Sequence, residues 1–132
     1  MSQPGRAPAV VEWMALTIDC PDPNAMADFY AAALGGEVTH RATGASVEAA
    51  GLNLVFRANP DYRPPTWPSP EVPLQSHFEF VVADLEAAIG QMVQLGATPA
   101  EQQDPDDPHL VVLLDPAGHP FCLIRSSAAT RH

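Results

Sequence analysis

The hydrophobic positions along this chain switch between a period of two and a period near 3.6, and the switches divide it into elements. Over 10–20, VVEWMALTIDC, they alternate. Val10, Met14, Leu16 and Ile18 share one parity, broken by Glu12; Val11, Trp13, Ala15, Thr17 and Asp19 share the other. A period of two predicts a strand with one dry and one mixed face. PDPN stops it, because proline donates nothing to a ladder. Asn24 then offers a cap for the helix AMADFYAAALG, where Met26, Phe29, Tyr30, Ala33 and Leu34 recur at helical spacing and Gly35 provides the stop. Three short strands follow: EVTHRA and ASVEAA around a turn at Thr43-Gly44, then LNLVFRA after Gly51.

Residues 59–73, NPDYRPPTWPSPEVP, cannot enter a sheet interior and read as a stiff bridge. Its aromatics, Tyr62 and Trp67, predict that it packs on something. A second unit begins in LQSHFEFVVADLEAA. SHFEFVV is a strand with Phe78, Phe80 and Val82 on one face and His77, Glu79 and Val81 on the other. Asp84 caps a helix with the stripe Leu85, Ile89, Met92, Val93 and Leu95, and Gly96 ends it. The loop PAEQQDPDDP leads to the strand HLVVLLD, the turn PAGH and the strand PFCLIRS.

The two units repeat. A shift of 62 residues lays Asp22 on Asp84, Thr17 on Glu79 and Ala15 on His77. Two copies of one small unit, neither able to bury its sheet alone, are expected to share a core. The expected organisation is an arm over 1–9, one domain over 10–126 (module one 10–58, bridge 59–73, module two 74–126) and a tail over 127–132.

Composition narrows the function. The 132 residues carry a formal net charge of −10, and all six basic residues are arginine. No basic stripe exists, and this sign of field repels phosphate backbones and anionic lipid, so neither nucleic acid nor membrane is an expected partner. No signal-like or membrane-length apolar run is present, and a cytoplasmic location is the expectation. Cys20 and Cys122 lie in or beside apolar runs and are expected to be free, buried thiols. No nucleophile elbow and no glycine-rich phosphate loop occurs.

The order of these pieces resembles the vicinal oxygen chelate superfamily, the glyoxalase/bleomycin-resistance/dioxygenase group, and within it the glyoxalase-like domains. FYAAALGGEV, the proline-rich bridge, HFEFVVADLEAAI and LLDPAGHPFCLI carry the resemblance over roughly 10–126. It implies an α+β fold of two tandem βαβββ modules, whose eight strands form an open, curved half-barrel with the helices on its convex side. It also implies a homodimer and a cavity that usually holds a divalent metal. Carried over position by position, the metal ligands fall on Ala15, on Asn53 or Val55, on His77 and on Cys122. Ala15 and Val55 have no donor, and two ligands rarely hold a metal tightly. No cofactor is therefore expected; His77 is the one ligand a metal would keep.

What remains on the implied concave face is an apolar pocket with a few polar groups, the usual form of a small-molecule site. Its candidate ligand-binding residues are Trp13, Thr17, Asp19, Asn53, Arg57, His77, Glu79 and Cys122. His77 with Glu79 is the candidate catalytic pair, a base held by a carboxylate. Asp19 and Glu79, if buried together, would raise one carboxyl pKa. The plainer readings are a hydrogen-bonded structural His77, solvated acids, a packing Trp13 and an inert Cys122. The expected function is binding of a small, partly apolar organic molecule; the alternative is a lyase, isomerase or dioxygenase with an atypical site.

Overall fold

The computed structural model describes residues 10–127. The arm over 1–9 and the tail beyond Ser127 lie outside the described residues. The first strand, β1 (Leu16–Cys20), is shorter than the alternating pattern. Its partner explains this. β1 runs parallel to β4 (Leu52–Ala58) with Leu16 opposite Leu54. β4 begins after a turn at Ala50 and Gly51, both with positive φ, so residues 10–13 have no ladder to join. Asn53 Nδ2 donates to the Met14 carbonyl at 3.3 Å where the ladder ends.

Asp22, not Asn24, caps helix α1 (Pro23–Leu34): its Oδ1 accepts from the Ala25 N–H at 3.2 Å. Proline is well suited to the first helical position, which moves the cap one residue before Pro23. Asn24 instead meets His40 Nδ1 at 2.9 Å. Gly35 closes the helix in the left-handed region, φ 73°. The hairpin of β2 (Glu37–Arg41) and β3 (Gly44–Ala49) pairs Arg41 with Gly44, so Ala42 and Thr43 form the turn. Gly44 is already in the strand. A Cβ there would lie 2.0 Å from the Phe56 carbonyl oxygen, a backbone atom that cannot step aside. Gly44→Ala is expected to cost about 1–3 kcal/mol through overpacking, read as a lower urea midpoint.

The second module repeats the first. β5 (Glu79–Val82) leads to α2 (Leu85–Leu95), capped by Asp84 Oδ1 on the Ala87 N–H at 3.1 Å. Then come β6 (Thr98–Pro99), β7 (Leu110–Leu114) and β8 (Pro120–Arg125). β6 falls where the sequence reads as loop, because two residues carry no periodicity. Gln103 extends that edge: its amide donates to the carbonyls of Ala100 and Val112 and accepts from the Val112 N–H.

The strand orders are β1-β4-β3-β2 and β5-β8-β7-β6, one pattern twice. The eight strands thus form two four-stranded ladders in an open α+β arrangement that does not close into a barrel. One parity of each sheet and both helices build a common core. Tyr30 of α1 stacks on Phe56 of its own module and meets Phe78 and Phe80 of the other edge-on; Phe29 meets Phe121 at 5.8 Å. These contacts join the modules, as the repeat required. Among the described residues no helix is long and apolar enough to cross a membrane.

Candidate functional site

β1 and β5 are edge strands of their sheets, and a cavity of about 480 Å³ opens between β1 and the residues 75–78 that lead into β5. Thr17, Ile18 and Asp19 come from β1, Met26 and Tyr30 from α1, Tyr62 and Arg63 from the bridge, His77 and Phe78 from the approach to β5, and Asp115 and His119 from the β7–β8 turn. The bridge is tied down at its start. The Asn59 N–H donates to the Cys20 carbonyl at 3.0 Å, and Asn59 Nδ2 donates to Asp19 Oδ2 at 3.0 Å. Pro64 rests on Gly118, whose Cβ, if present, would approach it to 3.2 Å.

The cavity floor is a buried polar cluster. Asp115, 5% exposed, accepts the Ala117 and His119 N–H groups on Oδ1 and the Tyr30 hydroxyl on Oδ2 at 2.6 Å. Burial pushes its carboxyl pKa up, and the three hydrogen bonds pull it part of the way back. Burial and the Asp115 charge push the Tyr62 phenol up to about 12, and Tyr30 rises well above its ordinary value for the same reasons. Both phenols are protonated at neutral pH. The Tyr62 hydroxyl is buried and has no hydrogen-bond partner among the described residues. Cys20, in the same core, is pushed up to about 11, chiefly by burial, so its thiol is a poor nucleophile at neutral pH.

The structure distributes the sequence-predicted residues over three places. Thr17, Asp19 and His77 line this cavity. Arg57 and Glu79 stand behind two of them: Arg57 Nη2 lies 3.0 Å from Asp19 Oδ1, and His77 Nε2 lies 3.4 Å from Glu79 Oε1. Trp13 and Asn53 line a separate hollow of about 430 Å³ on the first sheet, with Thr39, Arg41 and Glu48. Cys122 is buried with Val112 and Ala100, and Trp67 of the bridge packs on that cluster. Burial pushes its thiol pKa up.

One expectation needs correcting. Asp19 and Glu79 are not buried together: their side chains are 36% and 56% exposed, and each has its own basic partner. The ladder sets this. Asp19 is opposite Arg57 across β1–β4, whereas Glu79 is opposite Cys122 and meets His77, two residues before it on the approach to β5. Sequence reasoning missed Tyr30, Tyr62, Arg63, Asp115 and His119 as cavity residues. The signal for one of them existed: Tyr62 is an aromatic in a proline-rich bridge that must pack on something.

The positions where the resemblance puts a metal do not assemble a ligand set within the chain. Ala15 and Val55 carry no donor, and the Cys122 thiol is held neutral in an apolar cluster. Among the described residues no three His, Cys, Asp or Glu side chains come together to hold a metal ion.

Two βαβββ repeats sharing one core, with a pocket at the seam of their sheets, define the class of protein. The chain matches the family model described as Glyoxalase-like domain over residues 15–124, and it belongs to that family. Its fold is shared by a glyoxalase/bleomycin resistance protein/dioxygenase family enzyme from Burkholderia phytofirmans PsJN. That enzyme is 15% identical, with 85% of this chain and 96% of the other covered and a TM-score of 0.64. A genomically encoded fosfomycin resistance protein from Listeria monocytogenes is 14% identical over 89% and 94%, with a TM-score of 0.63. A bleomycin resistance determinant encoded on the transposon Tn5 is 23% identical over 87% and 98%, with a TM-score of 0.50. No curated protein matches the chain in sequence.

Proposed function

We propose that this protein binds a small, partly apolar organic molecule in the cavity between β1 and β5, without a resident metal. The observation that carries the reading is the cavity itself. About 480 Å³ lies within the range of small-molecule sites, and its wall mixes Ile18, Met26, Tyr30 and Phe78 with a few polar groups. The resistance proteins that share the fold give the reading its precedent. Thermal-shift screening of a small-molecule collection tests it. A ligand at 100 times its Kd stabilises by about 2.7 kcal/mol, and Thr17→Trp, which fills the cavity from a solvent-facing strand position, should abolish the shift. Hits that persist in Thr17→Trp would place binding elsewhere. Stoichiometric divalent metal in freshly purified protein, lost in His77→Ala, would overturn the metal-free part.

One observation favours a second reading, a lyase, isomerase or dioxygenase. His77 lines the cavity and Glu79 stands beside it, an arrangement suited to a general base. In that case His77→Ala abolishes turnover while ligand binding survives.

The same reading makes the protein a cytoplasmic homodimer. Val10, Val11, Trp13, Met14 and Leu16 form an exposed apolar run at the edge of the first sheet, with Trp13 68% and Met14 73% exposed. A run of this kind, here interrupted only by Glu12, is commonly covered by a partner, and a second copy offers the same apolar surface. Sedimentation velocity is expected to give twice the 14.1 kDa chain mass, and Trp13→Asp to shift the protein toward monomer.

A further inference from the structure

We propose that the cavity between β1 and β5 takes an organic ammonium ion, an amine or quaternary ammonium bearing a small apolar group; this rests on the reading of that cavity as the ligand site. Three observations point to a cation. First, the buried charge at the floor is negative. Asp115 Oδ1 receives two backbone N–H groups, whereas Oδ2 receives only the Tyr30 hydroxyl, so Oδ2 keeps an acceptor position open. Second, the Tyr62 hydroxyl is buried and unpartnered among the described residues, and its oxygen offers a second acceptor for an ammonium N–H. An ammonium N–H donated to that oxygen would recover part of the cost of burying it unpartnered. Third, the rings of Tyr30, Tyr62 and Phe78 line the wall, and aromatic rings attract ammonium groups through their quadrupoles.

The competing charges do not reverse this. Arg57 is engaged by Asp19, and Arg63 is exposed at the mouth. His77 faces Glu79, and His119 Nδ1 donates to the Pro120 carbonyl, which can only accept. Among the described residues lining the cavity the one arginine, Arg63, is exposed, so an anion there would meet Asp115 with no buried arginine beside it. A chain of net charge −10 also concentrates cations near its surface.

Four probes of one shape test the inference at pH 7: benzylammonium, benzyltrimethylammonium, benzyl alcohol and benzoate. Calorimetric titration is expected to give one site, with benzylammonium at least tenfold tighter than benzyl alcohol and benzoate weakest. Amide shifts should concentrate at Ala117, Gly118 and His119, which surround the Asp115 carboxylate. Tyr62→Phe keeps the ring and removes only the oxygen. It should weaken benzylammonium several-fold and leave benzyltrimethylammonium, which has no N–H to donate, unchanged. Equal binding of the alcohol and the ammonium, or tighter benzoate, overturns the ammonium inference and leaves the cavity as a ligand site. Cation shifts scattered over surface carboxylates overturn it too. No binding by any of the four overturns both readings.

Discussion

Asp115→Ala is expected to destabilise the protein by about 3–5 kcal/mol, seen as a fall in the urea midpoint at pH 7. Three donors lose their acceptor at once: the Tyr30 hydroxyl and the Ala117 and His119 N–H groups. A buried donor left unpaired costs about 1–3 kcal/mol, and relief of the buried charge offsets part of the sum. Tyr30→Phe should cost less, about 1.5–3 kcal/mol, because it removes one hydrogen bond to the carboxylate and leaves the other two. The pH dependence has a definite sign. The folded carboxyl pKa is raised above its ordinary 3.8. Between that value and the folded one, the native state binds more protons than the unfolded state, so the Asp115 contribution to stability falls as pH rises through the window. Asp115→Asn removes this contribution. Its stability relative to the parent should therefore improve on going from acid to neutral pH, which paired urea titrations at the two pH values would measure. A difference constant with pH would count against the raised pKa.

Phe121→Ala should cost about 3–5 kcal/mol, and it should do so to the whole molecule. Phe121 is fully buried on β8 and contacts Phe80 of its own module and Phe29 on α1 of the other. Domains of this size have total stabilities of about 5–15 kcal/mol, so the loss is a large fraction. Because Phe121 sits between the modules, one cooperative transition is expected to move to lower denaturant. Far-ultraviolet circular dichroism and the fluorescence of Trp67, which packs on the second sheet, should report the same midpoint. Two separated transitions would mean that the modules unfold independently and that the shared aromatic core does not couple them.

Much of the fold was legible because its signals are local. The strand and helix periods, Gly35 and Gly96 as helix stops, and Asp84 as a cap depend on neighbours within a few residues. The 62-residue repeat carried the rest, since two copies of one unit must share a core. Local reading failed where the deciding contact is distant. Gly44 looked like a turn residue, but the Phe56 carbonyl requires it to be glycine. Residues 10–13 alternate like a strand, but β4 begins too late, after the Ala50–Gly51 turn, to pair with them.

The site divides along the same line. The sequence by itself determined a repeated strand–helix–strand unit and the alternation that puts Thr17 with Asp19, and His77 with Glu79, on one face of their segments. These follow from periodicity within a few residues; the βαβββ modules, their common concave face and the donorless ligand positions Ala15 and Val55 are what the family resemblance added. Only the tertiary structure decided that Tyr30, Tyr62 and Asp115 meet, because the Tyr30–Asp115 hydrogen bond joins residues 85 apart and the bridge delivers Tyr62 to the same place. Only it decided that Asp19 pairs with Arg57, since pairing across a ladder depends on register rather than on sequence distance. The cavity needs both modules for the same reason: its wall takes Thr17, Ile18 and Asp19 from the first and His77, Phe78 and Asp115 from the second.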